Sequence, residues 1–298
     1  MNKKHLISAI FFVMMFCGLA FASDQTNITN IPDEWGRIPI LLYHNIGPYE
    51  YRWTRSVANF KKDLLWLYNN DYVLLSIEDY ANNYFPIPQG KKPVILTFDD
   101  GKPNQFNMNK DGTIDPNSAI GILDDFNKQY PDFGTAAAFY VYDNPFGQNA
   151  FLEKKLAYLW QTGRQIGYHT LRHTNLRGLL PKTVIAILQA QKDKLSKVMP
   201  IDMQMYTLAY PHGGVPWGDL TQLMPMIKVG LLIGSDPAYP LYHPKAKVFR
   251  TPRIQAIDSE WLRFFGRKSG ETDRSLKKEK FRVFVSDGDP GKRTPDKE

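Results

Sequence analysis

Pro93-Val94-Ile95-Leu96-Thr97-Phe98-Asp99-Asp100-Gly101 decides the fold. Its first six residues, mostly apolar and with little alternation, read as a strand buried on both faces, as in parallel sheets covered by helices. Two carboxylates stand at its C-terminal end, and a Gly lets the chain turn away. In parallel α/β proteins that end of the sheet is where chemistry gathers. Adjacent carboxylates repel each other, so both stay ionised more readily beside a cation. The stretch therefore points to a metal site with a spare base.

The chain has six histidines, and two of them form His169-Thr170-Leu171-Arg172-His173, just after the short run Gln165 to Tyr168. A helical turn there would aim both rings the same way. Two His and one Asp make a three-ligand set with open positions, the pattern of a catalytic rather than a structural zinc site. The donors also suit iron, cobalt or nickel. Alone, Asp-Asp-Gly is an ordinary turn and His-x-x-x-His an ordinary helix-surface pair. His44, in Leu41-Leu42-Tyr43-His44-Asn45, and His212, in Ala209-Tyr210-Pro211-His212-Gly213-Gly214, could be a strand-end and a turn residue. Together, each close behind a strand-like run, they support one joint site.

These motifs resemble those of polysaccharide deacetylases of the NodB-homology type, carbohydrate esterase family four. Thr97 to Gly101 is similar to the first family motif and His169 to His173 to the second. Ala209 to Gly213 stands where the third is expected, in altered form. The resemblance runs from about Ile38 to Phe265. It implies an α/β fold, a distorted, incomplete (β/α) barrel. It also implies Asp99 as general base and Asp100, His169 and His173 as ligands of a divalent metal, zinc first, with cobalt, nickel or iron as alternatives. Pro211, His212 and Gly213 would form the oxyanion and groove segment, with His212 acting through its backbone N–H so that its side chain matters little. Many members carry an Arg just before the motif-three Pro to brace the catalytic Asp; Leu208 and Ala209 stand there here. Arg253, in Thr251-Pro252-Arg253-Ile254, is the candidate brace, against a plain surface Arg. The late His that serves many members as general acid is missing, since none follows His243. His44 is similar to a permuted equivalent and takes that role.

The implied activity is de-N-acetylation of an N-acetylglucosamine-containing polysaccharide. An O-acetyl esterase on xylan-type glycans and a non-catalytic glycan-binding relative are the alternatives. The implied partner is acetylated polysaccharide or oligosaccharide, and a monomer is expected.

Lys3 and Lys4 precede the apolar run Leu6 to Phe16, and Ala20-Phe21-Ala22 is a small-x-small cleavage site, so residues 1–22 read as a secretory signal peptide. The run is short for a membrane span. The lone Cys17 lies inside it, and bulky Phe16 argues against lipidation there. The protein is therefore expected in the periplasm or outside the cell. Loss of Lys3 and Lys4 lowers the formal charge from +7 to +5, a modest excess that suits an anionic matrix. No basic patch interleaved with aromatics suggests nucleic acid.

Beyond the signal peptide, a lead-in over 23–37, a catalytic domain over 38–287 and a disordered tail over 288–298 are expected. Strands are predicted at 38–43, 72–75, 93–98, 135–141, 207–210, 229–233 and, late, 281–285. Helices are predicted at 57–68, 118–126, 152–161 and 184–198. That alternation implies a parallel sheet or barrel. Asn107 to Asp115 is similar to the first nine positions of a calcium loop. Position twelve is Ser118 rather than Glu, so the loop reads as a polar surface turn.

Overall fold

The computed structural model describes residues 30–234, 236–273 and 279–291. The proposed signal peptide, Cys17 and residues 292–298 of the proposed tail lie outside the described residues. In chain order the strands are β1 (Ile40–Tyr43), β2 (Asn45–Gly47), β3 (Thr54–Ser56), β4 (Tyr72–Leu74), β5 (Lys92–Asp100), β6 (Ala138–Val141), β7 (Gln165–Tyr168), β8 (Thr207–Ala209), β9 (Val229–Leu231) and β10 (Ile254–Gln255). The helices are α1 (Val57–Asn69), α2 (Ile77–Ala81), α3 (Ala119–Gln129), α4 (Leu152–Gln161), α5 (Pro181–Leu195) and α6 (Asp258–Phe265). One all-parallel sheet runs β10-β1-β5-β6-β7-β8-β9, with β4 added beside the first half of β5. It curls into an incomplete barrel, as expected.

Period-two alternation sorts the strand residues into two layers. Val94, Leu96 and Phe98 of β5 pack outward, with Leu41 and Tyr43 of β1 and Phe139 and Val141 of β6, against the helices. Ile95 of β5 packs inward with Ile40, Ala138, Tyr140, Ala209 and Leu231. Thr97 and Asp99 continue the inward row of Ile95. The Tyr140 ring fits inside because Gly167 on β7 has no side chain; a Cβ there would lie 2.4 Å from Tyr140 Cε1. Helix α1 is held at its start by Ser56, whose hydroxyl accepts from Asn59 N at 3.1 Å, and it buries Phe60, Leu64 and Leu67 one turn apart.

The barrel is open between β9 and β10. An irregular segment bridges the seam: Thr251 N donates to Gly230 O at 2.9 Å and Leu232 N to Thr251 O at 2.9 Å. Arg253 follows directly and turns inward.

Helix α5 and residues 281–285 differ from the sequence expectation, while residues 107–115 form the polar turn expected of them. Helix α5 begins at Pro181, where a missing N–H costs nothing, and ends at Leu195 rather than Val198. Residues 281–285 form no regular strand. They make single bridges, Val283 to Arg37 and Val285 to Asp33, of opposite sense. The two chains cross closely, and a Cβ on Gly36 would lie 2.1 Å from the Val283 carbonyl carbon. Residues 107–115 form a turn closed by Asn109 N to Thr113 O at 2.8 Å. Its acids serve the turn: Asp111 accepts from Thr113 N at 2.9 Å and Asp115 from Asn107 Nδ2 at 3.0 Å. Ser118 caps α3.

A buried ion cluster ties the first third of the chain to its end. Asp63 of α1, wholly buried, accepts from Arg55 Nε at 2.8 Å, from Arg55 Nη2 at 2.7 Å, from Tyr43 Oη at 3.1 Å and from Arg267 Nη1. Removing the carboxylate takes the counter-charge from buried Arg267 and two of the hydrogen bonds from buried Arg55, which keeps its pair with Asp258. Asp63→Asn is expected to lower the unfolding free energy by about 3–5 kcal/mol. Urea denaturation measures it, and an unchanged midpoint would show the cluster to be energetically neutral.

Candidate metal centre and active site

The strand ends of β1, β5, β7 and β8 open into a cleft of about 370 Å³, lined among others by His44, Trp53, Asp99, Asp100, Lys102, His169, His173 and His212. All the expected metal-site and catalytic residues therefore share one cavity.

Strand alternation would send Asp99 inward and Asp100 outward. The backbone breaks that rule at Asp100, whose φ is 77°, and again at Gly101, at 58°. Asp tolerates the left-handed region better than most residues. The break brings the Asp100 carboxylate to the histidines instead of the helix layer. Its Oδ1 lies 3.4 Å from both His169 Nε2 and His173 Nε2. The ligand atoms of the three residues lie within 4.8 Å of one another.

The two histidines do not sit on a helical turn, contrary to expectation. Residues 169–173 form a tight turn in which Thr170 has φ 59° and His173 φ 51°. The turn is closed by His173 N to Thr170 O at 3.4 Å and extended by Thr174 N to Thr170 Oγ1 at 2.7 Å. It still places the rings 4.8 Å apart. The His169 Nδ1 pairs with Ala209 O on β8 at 2.8 Å, which assigns the proton to Nδ1 and leaves Nε2 free as a donor atom to a metal.

The electrostatics agree with a cation site. Burial alone would raise the Asp100 carboxyl. The hydrogen bond and charge of His169, with His44 and Lys102, outweigh it and hold the group far below the usual range. Burial, reinforced by His169, lowers His173 to about 4, so its imidazole is neutral and able to ligate. Two imidazoles and one carboxylate, with space left in the cleft, fit a divalent metal with open coordination positions.

Asp99 is treated differently. Arg253 donates to it through both arms of the guanidinium, Nη1 to Oδ1 and Nη2 to Oδ2, each at 2.7 Å. Both side chains are buried. Burial raises the Asp99 carboxyl, but the charge and hydrogen bonds of Arg253, with His169 and His44, more than offset it. Arg253 is thus no surface residue.

His44 stands just past β1, its ring 4.6 Å from Trp53. Burial lowers its pKa, while Asp99 and Asp100 pull the other way. Pro211, His212 and Gly213 form a one-turn bend after β8 with His212 at φ 55°. The His212 ring lies 4.4 Å from that of His173, so its side chain is part of the cleft wall and not incidental.

Three neighbours were not foreseen. Gln105 Nε2 donates to His44 O at 2.8 Å and to Asp99 O at 2.5 Å, clamping β1 to β5. Lys102 Nζ stands 3.6 Å from Asp100 Oδ2 and 3.1 Å from Tyr142 Oη. Trp53 shelters His44. Only Lys102, next to the Asp-Asp-Gly turn, carried a signal in its position.

A curled parallel half-barrel thus carries at its strand ends an Asp-His-His cluster that could hold a metal, beside a second, braced carboxylate. Residues 87–222 match the family model described as polysaccharide deacetylase. The chain is 24% identical over 198 residues to YxkH of Bacillus subtilis (strain 168), a protein named for polysaccharide deacetylases; the match covers 64% of this chain and 62% of that protein's length. Among solved structures, the Streptococcus pyogenes deacetylase PplD in complex with acetate superposes with a TM-score of 0.56 at 22% identity, over 76% of this chain and 94% of that one. BC0361, a polysaccharide deacetylase from Bacillus cereus, gives 0.57 at 23% identity, over 74% and 64%. At these identities the likeness is one of fold.

Elemental analysis of the purified protein is expected to find one divalent transition metal per chain. His169→Ala and His173→Ala should each weaken binding, and the double variant should lose it; full occupancy in the double variant would remove the cluster as the metal site.

Proposed function

We propose that this protein is a metal-dependent hydrolase that removes acetyl groups from an N-acetylglucosamine-containing polysaccharide. The observation that carries the reading is the division of two adjacent carboxylates in one cleft. Asp100 turns onto two histidines while Asp99 is kept ionised by Arg253. A glycan-binding module has no use for a second buried charge beside a ligand set, because burying it is costly.

A divalent metal held by Asp100, His169 and His173, zinc first, would polarise the acetyl carbonyl and acidify a water. Asp99 accepts the proton of the attacking water. Arg253 occupies one site on each of its oxygens and fixes the carboxylate plane, so the proton arrives at a remaining lone pair. The backbone N–H groups of the Pro211 to Gly213 turn serve the carbonyl oxygen as it gains charge. An amine leaves poorly without a proton, and His44 supplies it. Burial makes the His44 imidazolium, once formed, the stronger acid, and Trp53 keeps its ring in place. The same reading puts the protein outside the cytoplasm, on the pattern of residues 1–22.

The test is acetate and free-amine release from a panel of N-acetylated and O-acetylated glycans, with and without chelator. Acetate from xylan-type esters alone would make it an esterase. His44→Ala is expected to lower kcat by about 10²–10⁴ with metal content unchanged; near wild-type turnover would return His44 to a structural role.

Asp99→Asn should retain metal and lose turnover. It should also melt at a lower temperature, because it leaves the Arg253 guanidinium without its counter-charge. Asp100→Asn should instead bind metal more weakly. The opposite assignment of metal loss would exchange the two roles.

A further inference from the structure

Three successive residues of the loop after β6 have left-handed backbone: Phe146 at φ 60°, Gly147 at 57° and Gln148 at 53°. Glycine adopts that conformation freely. A bulky side chain such as Phe146 keeps it only where the surroundings over-determine it. Here they do. The Phe146 ring is wholly buried, 5.6 Å from Phe139 and 5.8 Å from Phe106. The Gln148 side chain pairs both ways with Met108, accepting from its N at 3.0 Å and donating to its O at 2.8 Å. Two carbonyls of the run then converge on one nitrogen. Lys155 Nζ, from α4, donates to Phe146 O at 3.0 Å and to Gly147 O at 3.4 Å.

Lys155 is wholly buried, and among the described residues it has no ion pair. Lysine is almost never found so deep unless it is paired. Burial lowers its amine to about 8, so the ammonium still prevails at neutral pH. No step of the proposed reaction uses it. Its position is explained by what the loop holds. Phe146 N donates to Gly101 O at 2.6 Å, and Asp143 N to Leu171 O at 3.1 Å. Gly101 completes the left-handed break that turns Asp100 onto the histidines. Leu171 is the middle residue of the turn from His169 to His173. Pro103, two residues past Gly101, packs on the run as well, since a Cβ on Gly147 would lie 3.2 Å from its Cγ. One loop therefore ties together the two turns that carry all three expected ligands.

We propose that Lys155 is a positioning residue for the metal centre: it pins the left-handed run at residues 146–148 and, through that run, the backbone that presents Asp100, His169 and His173. This rests on the metal-cluster reading above. A side chain of similar length without charge or donors leaves two buried carbonyls unpaired, which favours release of the run. Once released, the run no longer offers Phe146 N to Gly101 O, and the break at Asp100 loses that support.

The test compares wild type, Lys155→Met, Gly147→Ala and a control, Arg164→Met. The control breaks the pair of buried Arg164 with Asp124, just before β7 and at the opposite end of that strand from His169. Competition with a chelating dye reads zinc affinity, the visible spectrum of the cobalt(II) form reads coordination geometry, and hydrogen exchange reads the backbone. Lys155→Met should bind zinc about tenfold to a hundredfold more weakly, the usual worth of a residue that orients metal ligands. Its cobalt(II) spectrum should change, and exchange should quicken over residues 99–104 and 169–174. Gly147→Ala, which presses the run against Pro103, should act in the same direction by less. Arg164→Met should keep the wild-type affinity and spectrum even where its melting temperature falls. Wild-type affinity and exchange in Lys155→Met overturn the proposal, as does an equal loss of affinity in Arg164→Met, which would assign the effect to global stability. If Lys155→Met does not fold, Gly147→Ala decides, and wild-type affinity and spectrum there overturn the proposal. A wild type that takes up neither zinc nor cobalt refutes the metal reading instead, and the exchange pattern still decides whether Lys155 holds the two turns.

Discussion

The ion pair between Asp99 and Arg253 is the constraint around which the rest of the molecule is arranged. A carboxylate and a guanidinium are both taken out of water inside a sheet, which is tolerable only if the geometry is good and the remaining polar atoms are satisfied. They are. Arg253 Nε donates to Leu232 O at 2.7 Å, and Nη1 also reaches Thr97 Oγ1 at 3.2 Å. Thr97 in turn donates to Leu41 O at 2.7 Å, and the guanidinium lies 5.7 Å from the Tyr140 ring. One side chain thus connects the end of β9, the interior of β5 and, through Thr97, β1. It crosses the inside of the barrel where the sheet itself has no ladder. The seam between β9 and β10 is closed by charge and hydrogen bonding where a closed barrel would use strand pairing.

With Asp99 committed inward, a second carboxylate can be used for a different purpose only if the backbone breaks its own period. Two successive left-handed residues, Asp100 and Gly101, do this. The same device recurs at Thr170, His173 and His212, so four of the non-glycine residues with positive φ lie at this site. Backbone strain of this kind persists where surrounding structure over-determines it. Here the surroundings are the Ala209 carbonyl on His169, the Thr170 hydroxyl in its turn and the Gln105 amide between two strand-end carbonyls.

The alternation of strands and helices and the two layers follow from patterns visible in the sequence. Ile95 to Asp99 alternates between two cores, and Val184, Leu188 and Leu195 mark one helix face. Asp100, His169 and His173 were legible as a set because their spacing and strand-end positions agreed. Arg253 could be named only as a candidate, since nothing local distinguishes an inward arginine at an irregular seam from one on the surface. Gln105 was illegible: its role depends on two carbonyls brought together by β1 and β5 after folding. Four-residue spacing at His169 and His173 would bring the rings together on a helical turn. Left-handed backbone at Thr170 and His173 delivers the same convergence by another route, and spacing cannot tell the two apart. Residues 281–285 have the composition of a strand but cross their neighbour at Gly36, a matter of approach angle that composition does not encode.

The position of Arg253 in the chain also sets an order of events. It follows Asp99 by 154 residues. A chain made from its N-terminus emerges with β1, β5, β6, β7 and β8 long before the arginine that neutralises the inner carboxylate. Until then, packing the end of β5 against its neighbours would bury a lone negative charge, which is strongly unfavourable. Until the seam is made, the inner layer can set around Asp99 only with the carboxyl protonated or still wet. The outer layer, whose contacts are apolar, has no such penalty. The ionised form of Asp99 that the site uses thus depends on the same residue that closes the barrel.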